Sequence, residues 1–403
     1  MSEHCDATGL AIPLVRRLIL SDFRSYPALD LSLGAKMIVV TGENGAGKTN
    51  LIEALSLFTP GRGLRRVELA SCARAEGPGG FAVSIEIETG AERVQLGTGL
   101  VPRSEGGFAR QYRIERAPVG SARSFADHLR IVWLTPAQDG LFAASPGERR
   151  RFLDRLVLCV DAEHGARVTV LERALRNRNR QLEDHYADSR WLDATEKEIA
   201  EIAVAVAAAR VETVARLRRL IDESRDTITP FPWADLEIRG DLERLVGERP
   251  ALEAEELYRG ILRDNRRRDA AAGRALVGPQ NSDLLVRHGP KQADAARSST
   301  GEQKALLVGL VLAHARLVAR ATQTAPMILL DEIAAHFDAS RRVALYEELA
   351  ALPGQIWMTG AEASAFSGLA DHADLLQVRP GLVGRLAHQS DRILPASDST
   401  SDV

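Results

Sequence analysis

The sequence predicts an α/β protein whose mixed strand-and-helix lobe is split in the chain, with a helical lobe inserted between its two parts. Three observations predict it. Residues 14–148 break into short runs of strand character, residues 149–275 carry helical periodicity, and residues 276–386 return to apolar strand-like runs joined by helices. A glycine-rich loop follows one of the first runs and a pair of acids follows one of the last, so a single site draws on both ends of the chain.

The elements follow in order. Leu14 to Leu20 is strand-like, residues 29–33 alternate with period two, and Met37-Ile38-Val39-Val40 is a continuous apolar run suited to a buried strand. Residues 81–88 alternate again, and Ile131-Val132-Trp133-Leu134 is a further buried-strand candidate. In the second region Ile199, Ile202, Val206, Ala209, Thr213, Leu217 and Leu220 step by three and four, which makes one stripe on a long helix stopped by Pro230 and Pro232. The Arg-rich segment 171–186 is a second helix, and the pair, joined around Ser189 to Asp193, predicts a short antiparallel arm. In the third region residues 304–320 form a helix, and Met327-Ile328-Leu329-Leu330 and Gln355-Ile356-Trp357-Met358 suit central parallel strands. Residues 390–403 are polar and predict a disordered tail.

Composition excludes several classes. The 403 residues are 45% hydrophobic and 27% charged, which gives ample material for a large core and argues against a disordered or low-complexity chain. The 52 basic residues nearly balance 55 acidic ones, so any contact with nucleic acid comes from local patches. Cys5, Cys72 and Cys159 have neither disulfide nor zinc spacing and point to a reducing compartment. The N-terminus lacks a leader pattern. The most apolar stretch, residues 305–313, is interrupted by Gly309 and ends at His314, short of the ~20 residues that cross a bilayer, so no membrane association is expected.

Gly42-Glu43-Asn44-Gly45-Ala46-Gly47-Lys48-Thr49 fits G-x-x-x-x-G-K-[ST], with an apolar run before it and helix-forming residues after it. Glycines let successive backbone N–H groups turn toward phosphate oxygens, and the following helix adds partial positive charge. Lys48 is placed for the β- and γ-phosphates of ATP, and the Thr49 hydroxyl for Mg²⁺. Asp331-Glu332 closes the run Met327 to Leu330. A carboxylate at the end of a buried strand needs compensation, which Mg²⁺ shared with Thr49 supplies to Asp331. Glu332 is then positioned as the general base that polarises water, with Lys48 as the other catalytic residue. Ser299-Thr300-Gly301-Glu302-Gln303 precedes a helix and makes a second anion cup. Read alone this is an ordinary N-cap; since the first loop already holds the phosphates, a second cup makes sense if it meets the γ-phosphate on another copy, which would make an ATP-dependent homodimer.

These motifs, with Ala335-His336-Phe337-Asp338 after the acids, resemble an ABC-type ATPase head. Residues 21–26, residues 146–154 and Gly278-Pro279-Gln280 extend the resemblance over residues 14–380, to the RecF family, bacterial recombination mediators of the SMC-like class. The resemblance implies an ATPase lobe built from residues 14–148 and 276–386 around an inserted helical lobe, residues 149–275. It implies two ATP molecules sandwiched between heads, slow DNA-stimulated hydrolysis to ADP and phosphate, and DNA binding at gaps. Partnership with RecR and RecO in loading RecA, and a cytoplasmic, nucleoid-associated location, also follow from it. It makes Gln138 the Q-loop residue near the metal and Thr359 the occupant of the switch-histidine position. The chain departs from the family where it reads Gly278-Pro279-Gln280-Asn281-Ser282-Asp283, so charged contacts there are in question. The insertion of roughly 125 residues, as two helices at about 1.5 Å per residue, reaches at most ~90 Å, which suits a stubby lobe and no long coiled coil.

Three arginine groups are candidates for DNA phosphates: Arg149, Arg150, Arg151 and Arg155; Arg173, Arg176, Arg178 and Arg180; and Arg263, Arg266, Arg267 and Arg268. Pairing with local acids such as Glu172, Glu183 and Asp184 is the alternative for each. With 5% aromatics, base stacking is not expected to dominate. Two other classes stay open at this level: a transporter nucleotide-binding subunit, which would need a membrane partner, and a small-molecule P-loop enzyme, which predicts no second cup.

Overall fold

The computed structural model describes residues 9–104, 106–184, 188–225, 231–333, 337–369 and 372–386. The chain opens with strands β1 (Pro13–Phe23), β2 (Tyr26–Ser32) and β3 (Met37–Thr41), then helix α1 (Lys48–Ser56). Strands β4 (Phe81–Thr89), β5 (Glu92–Pro102), β6 (Phe108–Ile114), β7 (Ala117–Pro118) and β8 (Ile131–Leu134) follow. Helices α2 (Pro146–Val160), α3 (His164–Glu183) and α4 (Ser189–Glu223) lead to β9 (Ala234–Arg239) and to α5 (Asp241–Glu248), α6 (Ala251–Asp264) and α7 (Arg266–Ala272). Strands β10 (Asp283–His288) and β11 (Ala293–Asp294), helix α8 (Thr300–Thr322), β12 (Met327–Leu330), α9 (Ala339–Ala351), β13 (Ile356–Gly360), β14 (Ala373–Arg379) and β15 (Leu382–Arg385) complete it.

The organising element is a six-stranded sheet in the order β15-β14-β3-β13-β12-β8, parallel except at its β15 edge. Strands β3 and β8 from the first part of the chain are interleaved with β12 to β15 from the last, so neither part closes the sheet alone. Parallel strands covered on both faces are apolar at every position, and here alternate residues enter different cores. Met37, Val39, Ile328, Leu330, Ile356 and Met358 face a core shared with α2, α8 and α9. Ile38, Val40, Met327, Leu329 and Trp357 face a second core under α1 and the antiparallel sheet β2-β1-β4-β5-β6-β7.

The arm is antiparallel. Near its root His164, at the start of α3, and Arg210, on α4, both bond Asp154. Further out, Arg178 on α3 bonds Glu196 on α4. The stripe predicted on α4 is buried at Ile199, Val206, Thr213, Leu217 and Leu220. This helix serves two cores, with Ile199 to Ala207 in a helical-lobe cluster and Val214 to Ile221 in the α8 core. Residues 149–275 are not all helical, because β9 pairs with β10 from beyond residue 275.

Several expectations shift. Ser189 to Asp193 form the first turn of α4 and not the bend, since Asp188 caps that helix. Helix α3 starts at His164, ahead of Leu171, and α4 ends at Glu223, ahead of its expected stop; Tyr186 and Pro230 lie outside the described residues. Helix α8 begins at Thr300 and runs through His314 to Thr322. It is long and apolar enough to cross a bilayer by length and composition, but 72% of its most apolar window is buried among the neighbouring elements, which fits a core helix. The tail 390–403 lies outside the described residues.

Candidate nucleotide site

The glycine-rich loop joins β3 to α1. Its glycines are dictated by space. Gly42 has φ 145°, and a Cβ there would fall 2.4 Å from the Val378 carbonyl oxygen; Gly47 has φ 112°, and a Cβ would fall 2.7 Å from Ser25 Oγ. The Tyr26 hydroxyl donates to the Gly47 carbonyl (3.1 Å) and Asn50 Nδ2 to Ser25 Oγ (3.0 Å), so the β1–β2 turn braces the loop. Lys48, 4% exposed, donates to the carbonyls of Gly42 (2.8 Å) and Glu43 (3.1 Å), and Asn44 Oδ1 is 3.5 Å away. Gly45 and Ala46 complete the turn, with the Ala46 N–H bonded to the Glu43 carbonyl.

Asp331 and Glu332 lie at the end of β12, beside this loop. Thr49 Oγ1 donates to Asp331 Oδ1 at 2.9 Å, and Thr359 Oγ1 donates to the same oxygen at 2.7 Å. Glu332 Oε1 is 3.4 Å from Lys48 Nζ, and the Glu332 N–H donates to Thr359 Oγ1 at 2.9 Å. Glu332 has φ 50°, an uncommon region for a residue with a side chain, and such strain concentrates at functional sites. Burial pushes the Asp331 carboxyl above its ordinary range, against the two hydroxyl hydrogen bonds and helped by nearby Glu332. The donors are hydroxyl and carboxylate oxygens, the set preferred by a hard divalent cation that keeps part of its water shell, and a cation beside Asp331 would relieve its burial. Thr49, Asp331 and Gln138 line one cleft of about 790 Å³. The Gln138 Oε1 accepts from the Thr135 N–H (3.0 Å) and lies 3.4 Å from the Thr135 hydroxyl, so the carboxamide caps its own turn.

Residues 299–303 stand apart. Ser299 caps α8 in a capping box, with the Glu302 N–H donating to Ser299 Oγ (3.4 Å) and the Ser299 N–H to Glu302 Oε2 (3.1 Å). Lys291 and this cap hold the Glu302 carboxyl down, to about 2. Thr300 and Gly301 form the first turn, and Gln303 Nε2 closes the loop onto the Ala296 and Ser298 carbonyls. Among the described residues no hydrogen bond or ion pair joins 299–303 to the glycine-rich loop or to Asp331-Glu332. Ala335 and His336 lie outside the described residues; Phe337 is buried and Asp338 caps α9.

The arginine groups divide by partner. Arg178 is fully buried, bonded to Glu196, Asp269 and the Leu262 carbonyl, so it is structural and corrects the DNA expectation at that position. Arg266 joins the same network through Glu196 and Asp193, and Arg263 reaches Asp193. Arg149 is held by Asp283, which Arg239 also meets, so the 278–283 stretch does make charged contacts; Arg150 donates to the Ser282 carbonyl and Arg155 stacks on Trp133. Arg151 contacts Glu148. Arg173, Arg176, Arg180, Arg267 and Arg268 are on the surface, where Arg176 pairs with Glu172, the alternative expected for it, and Arg268 donates to Asn265. Sequence reasoning missed Arg65 and Arg66, which line the cleft; Arg65 also bonds Asn50 and the buried Glu53. The run Gly61-Arg62-Gly63-Leu64-Arg65-Arg66 just after α1 was the available signal.

A mixed sheet assembled from both chain ends, a glycine-rich loop facing a strand-end acid pair, and a separate capped loop at the start of α8 define the head of an SMC-like ABC-type ATPase. A family model described as RecF/RecN/SMC N terminal domain matches residues 14–377. DNA replication and repair proteins RecF from Rhizobium rhizogenes and Mesorhizobium japonicum are each 51% identical to this chain, covering 91% and 92% of it and 97% of each relative. The chain belongs to the RecF family of DNA replication and repair proteins. A solved structure of the recombination mediator protein RecF-ATPrS in the RecFOR pathway has the same fold, at TM-score 0.82 and 18% identity, covering 94% of this chain and 99% of that one. An Smc head domain from Pyrococcus furiosus aligns at TM-score 0.50 and 16% identity, covering 93% and 96%. The family assignment removes the transporter and small-molecule readings.

Proposed function

We propose that this protein is an ATP-gated DNA clamp of recombinational repair and replication, in which ATP joins two heads and slow, DNA-stimulated hydrolysis to ADP and phosphate separates them. Residues 14–148 and 276–386 act as the ATPase lobe and 149–275 as the inserted lobe, rooted by α2 and the later half of α4. Gly42, Glu43, Asn44, Gly45, Ala46 and Gly47 wrap the phosphates with backbone N–H groups, and Lys48 exchanges its loop carbonyls for phosphate oxygens. Thr49 and Asp331 would hold Mg²⁺, with Gln138 reaching it after releasing Thr135. When bound, the ion neutralises charge building on the phosphoryl oxygens. Glu332 accepts the proton of the attacking water, and Thr359 fixes both acids. Ser299, Thr300, Gly301, Glu302 and Gln303 receive the γ-phosphate of the partner head.

The observation that carries this reading is the separation of two glycine-containing, helix-starting loops in one protomer, one assembled with the acids and one with no bond to them among the described residues. DNA phosphates are met by the exposed arginines on α3 and α7, with little sequence preference. RecR and RecO are the partners and RecA is loaded indirectly, in keeping with the RecFOR pathway named for the solved relative. The site of action is the cytoplasmic nucleoid. Light scattering tests the proposal: the wild type should become a dimer with ATP. Ser299→Arg should bind ATP as a monomer and stay one, and dimers of that variant would defeat the trans arrangement.

A further inference from the structure

We propose that Lys304 is the positioning residue that links the nucleotide cleft to the signature loop, acting through Asp139. The inference rests on the ATP-driven dimer proposed above and names the device that couples binding to it. Lys304 directly follows Gln303 in the first turn of α8, and its side chain is 6% exposed. Among the described residues its ammonium meets Asp139 Oδ2 at 3.5 Å and sits 5.8 Å from the Phe337 ring centre. Its neighbours Ala305, Leu306, Leu307 and Val308 are buried and apolar. A buried ammonium is an expensive choice in such a helix when leucine or methionine would pack there. A functional pairing gives the charge a reason.

The pair joins three segments that the reaction uses. Asp139 directly follows Gln138, on the short turn Pro136–Gln138 that lines the cleft with Thr49 and Asp331. Phe337 lies downstream of Glu332, and Lys304 belongs to the helix that carries the signature. Gln138 Oε1 already accepts from the Thr135 N–H, so it reaches a cleft ligand only by breaking that cap, which frees the turn to shift. Asp139 moves with the turn and pulls Lys304. Because Ser299, Glu302 and Gln303 are locked to one another and to the Ala296 and Ser298 carbonyls, that displacement moves the loop as a unit. A ligand shifts a distant element only through differential contacts in two states, and the Gln138 cap supplies them.

The test uses the full chain carrying Lys304→Met, Lys304→Arg or Asp139→Asn. Two quantities are read: affinity for a fluorescent ATP analogue at protein dilutions that keep protomers single, and the dimer dissociation constant with ATP by light scattering. The inference expects unchanged analogue affinity in every variant. It expects dimerisation weakened by roughly 5- to 150-fold in Lys304→Met and Asp139→Asn, the usual range of coupling between sites, and largely restored in Lys304→Arg. If Lys304→Met fails to fold, Asp139→Asn, on the more exposed side of the pair, decides by the same criteria. Wild-type dimerisation in the variants, or a parallel loss of analogue binding, overturns the inference. A wild type that never dimerises with ATP instead sinks the clamp reading, and the inference with it.

Discussion

Glu332 and Asp331 are neighbours with different environments. Asp331 is 8% exposed and hydrogen-bonded by two hydroxyls, whereas the Glu332 side chain is 28% exposed and faces Lys48. The buried acid suits a cation and the open one suits water. Glu332→Gln is expected to bind ATP and dimerise while hydrolysis falls ~10²-fold or more, the scale of a lost general base; normal turnover in a phosphate-release assay would remove Glu332 from that role. His314 is a second residue whose environment sets its chemistry. It is fully buried on α8 with Nε2 2.9 Å from the Leu156 carbonyl, and burial, with a smaller contribution from Arg155, presses its pKa down to about 4. The folded protein therefore resists protonating it while the unfolded chain accepts a proton near the ordinary value. Stability is full above pH ~6.5 and falls as pH drops from there toward 4, by at most on the order of 3 kcal/mol. Urea midpoints at pH 7 and pH 5 should converge in His314→Gln relative to the wild type.

At the scale of elements, the glycine-rich loop was legible as a loop: its glycine spacing is local, and so is the strand–loop–helix context. Gly47→Ala should cost about 1–3 kcal/mol through its backbone conformation alone. The new methyl would also press on Ser25, so thermal melting should drop and ATP-analogue binding should fall with it. A melting temperature equal to the wild type would contradict the crowding at this turn. Strand β5 was not legible because Gly97 and Gly99 interrupt its apolar pattern. The reason for Gly99 lies across the sheet, where a Cβ would fall 2.5 Å from the Phe81 carbonyl oxygen. Strand β9 was hidden within a region of helical periodicity, and its partner β10 is far away in sequence.

Across the whole molecule, the Arg178–Glu196–Asp269 network ties α3, α4 and α7 together in the interior. Removing one partner of a buried charge network typically costs about 3–5 kcal/mol because the remaining charges are stranded. Arg178→Met should therefore destabilise the protein strongly, read by chemical denaturation. Folded Arg178→Met protein should keep its affinity for gapped DNA, whereas Arg173→Ala with Arg180→Ala should lower that affinity and flatten its salt dependence. Weakened DNA binding by folded Arg178→Met would restore that residue to the DNA surface.

By itself the sequence determined the features set by neighbours along the chain: the glycine-rich loop, the capped start of α8, the acids ending an apolar strand and the stripe on α4. The tertiary structure alone decided which arginines are buried, since the partners of Arg178 lie 18 and 91 residues away. It also decided that Thr359 and Thr49 share one oxygen of Asp331. Spacing along a chain reports local conformation, but charge pairing and desolvation depend on which distant segments the fold brings together.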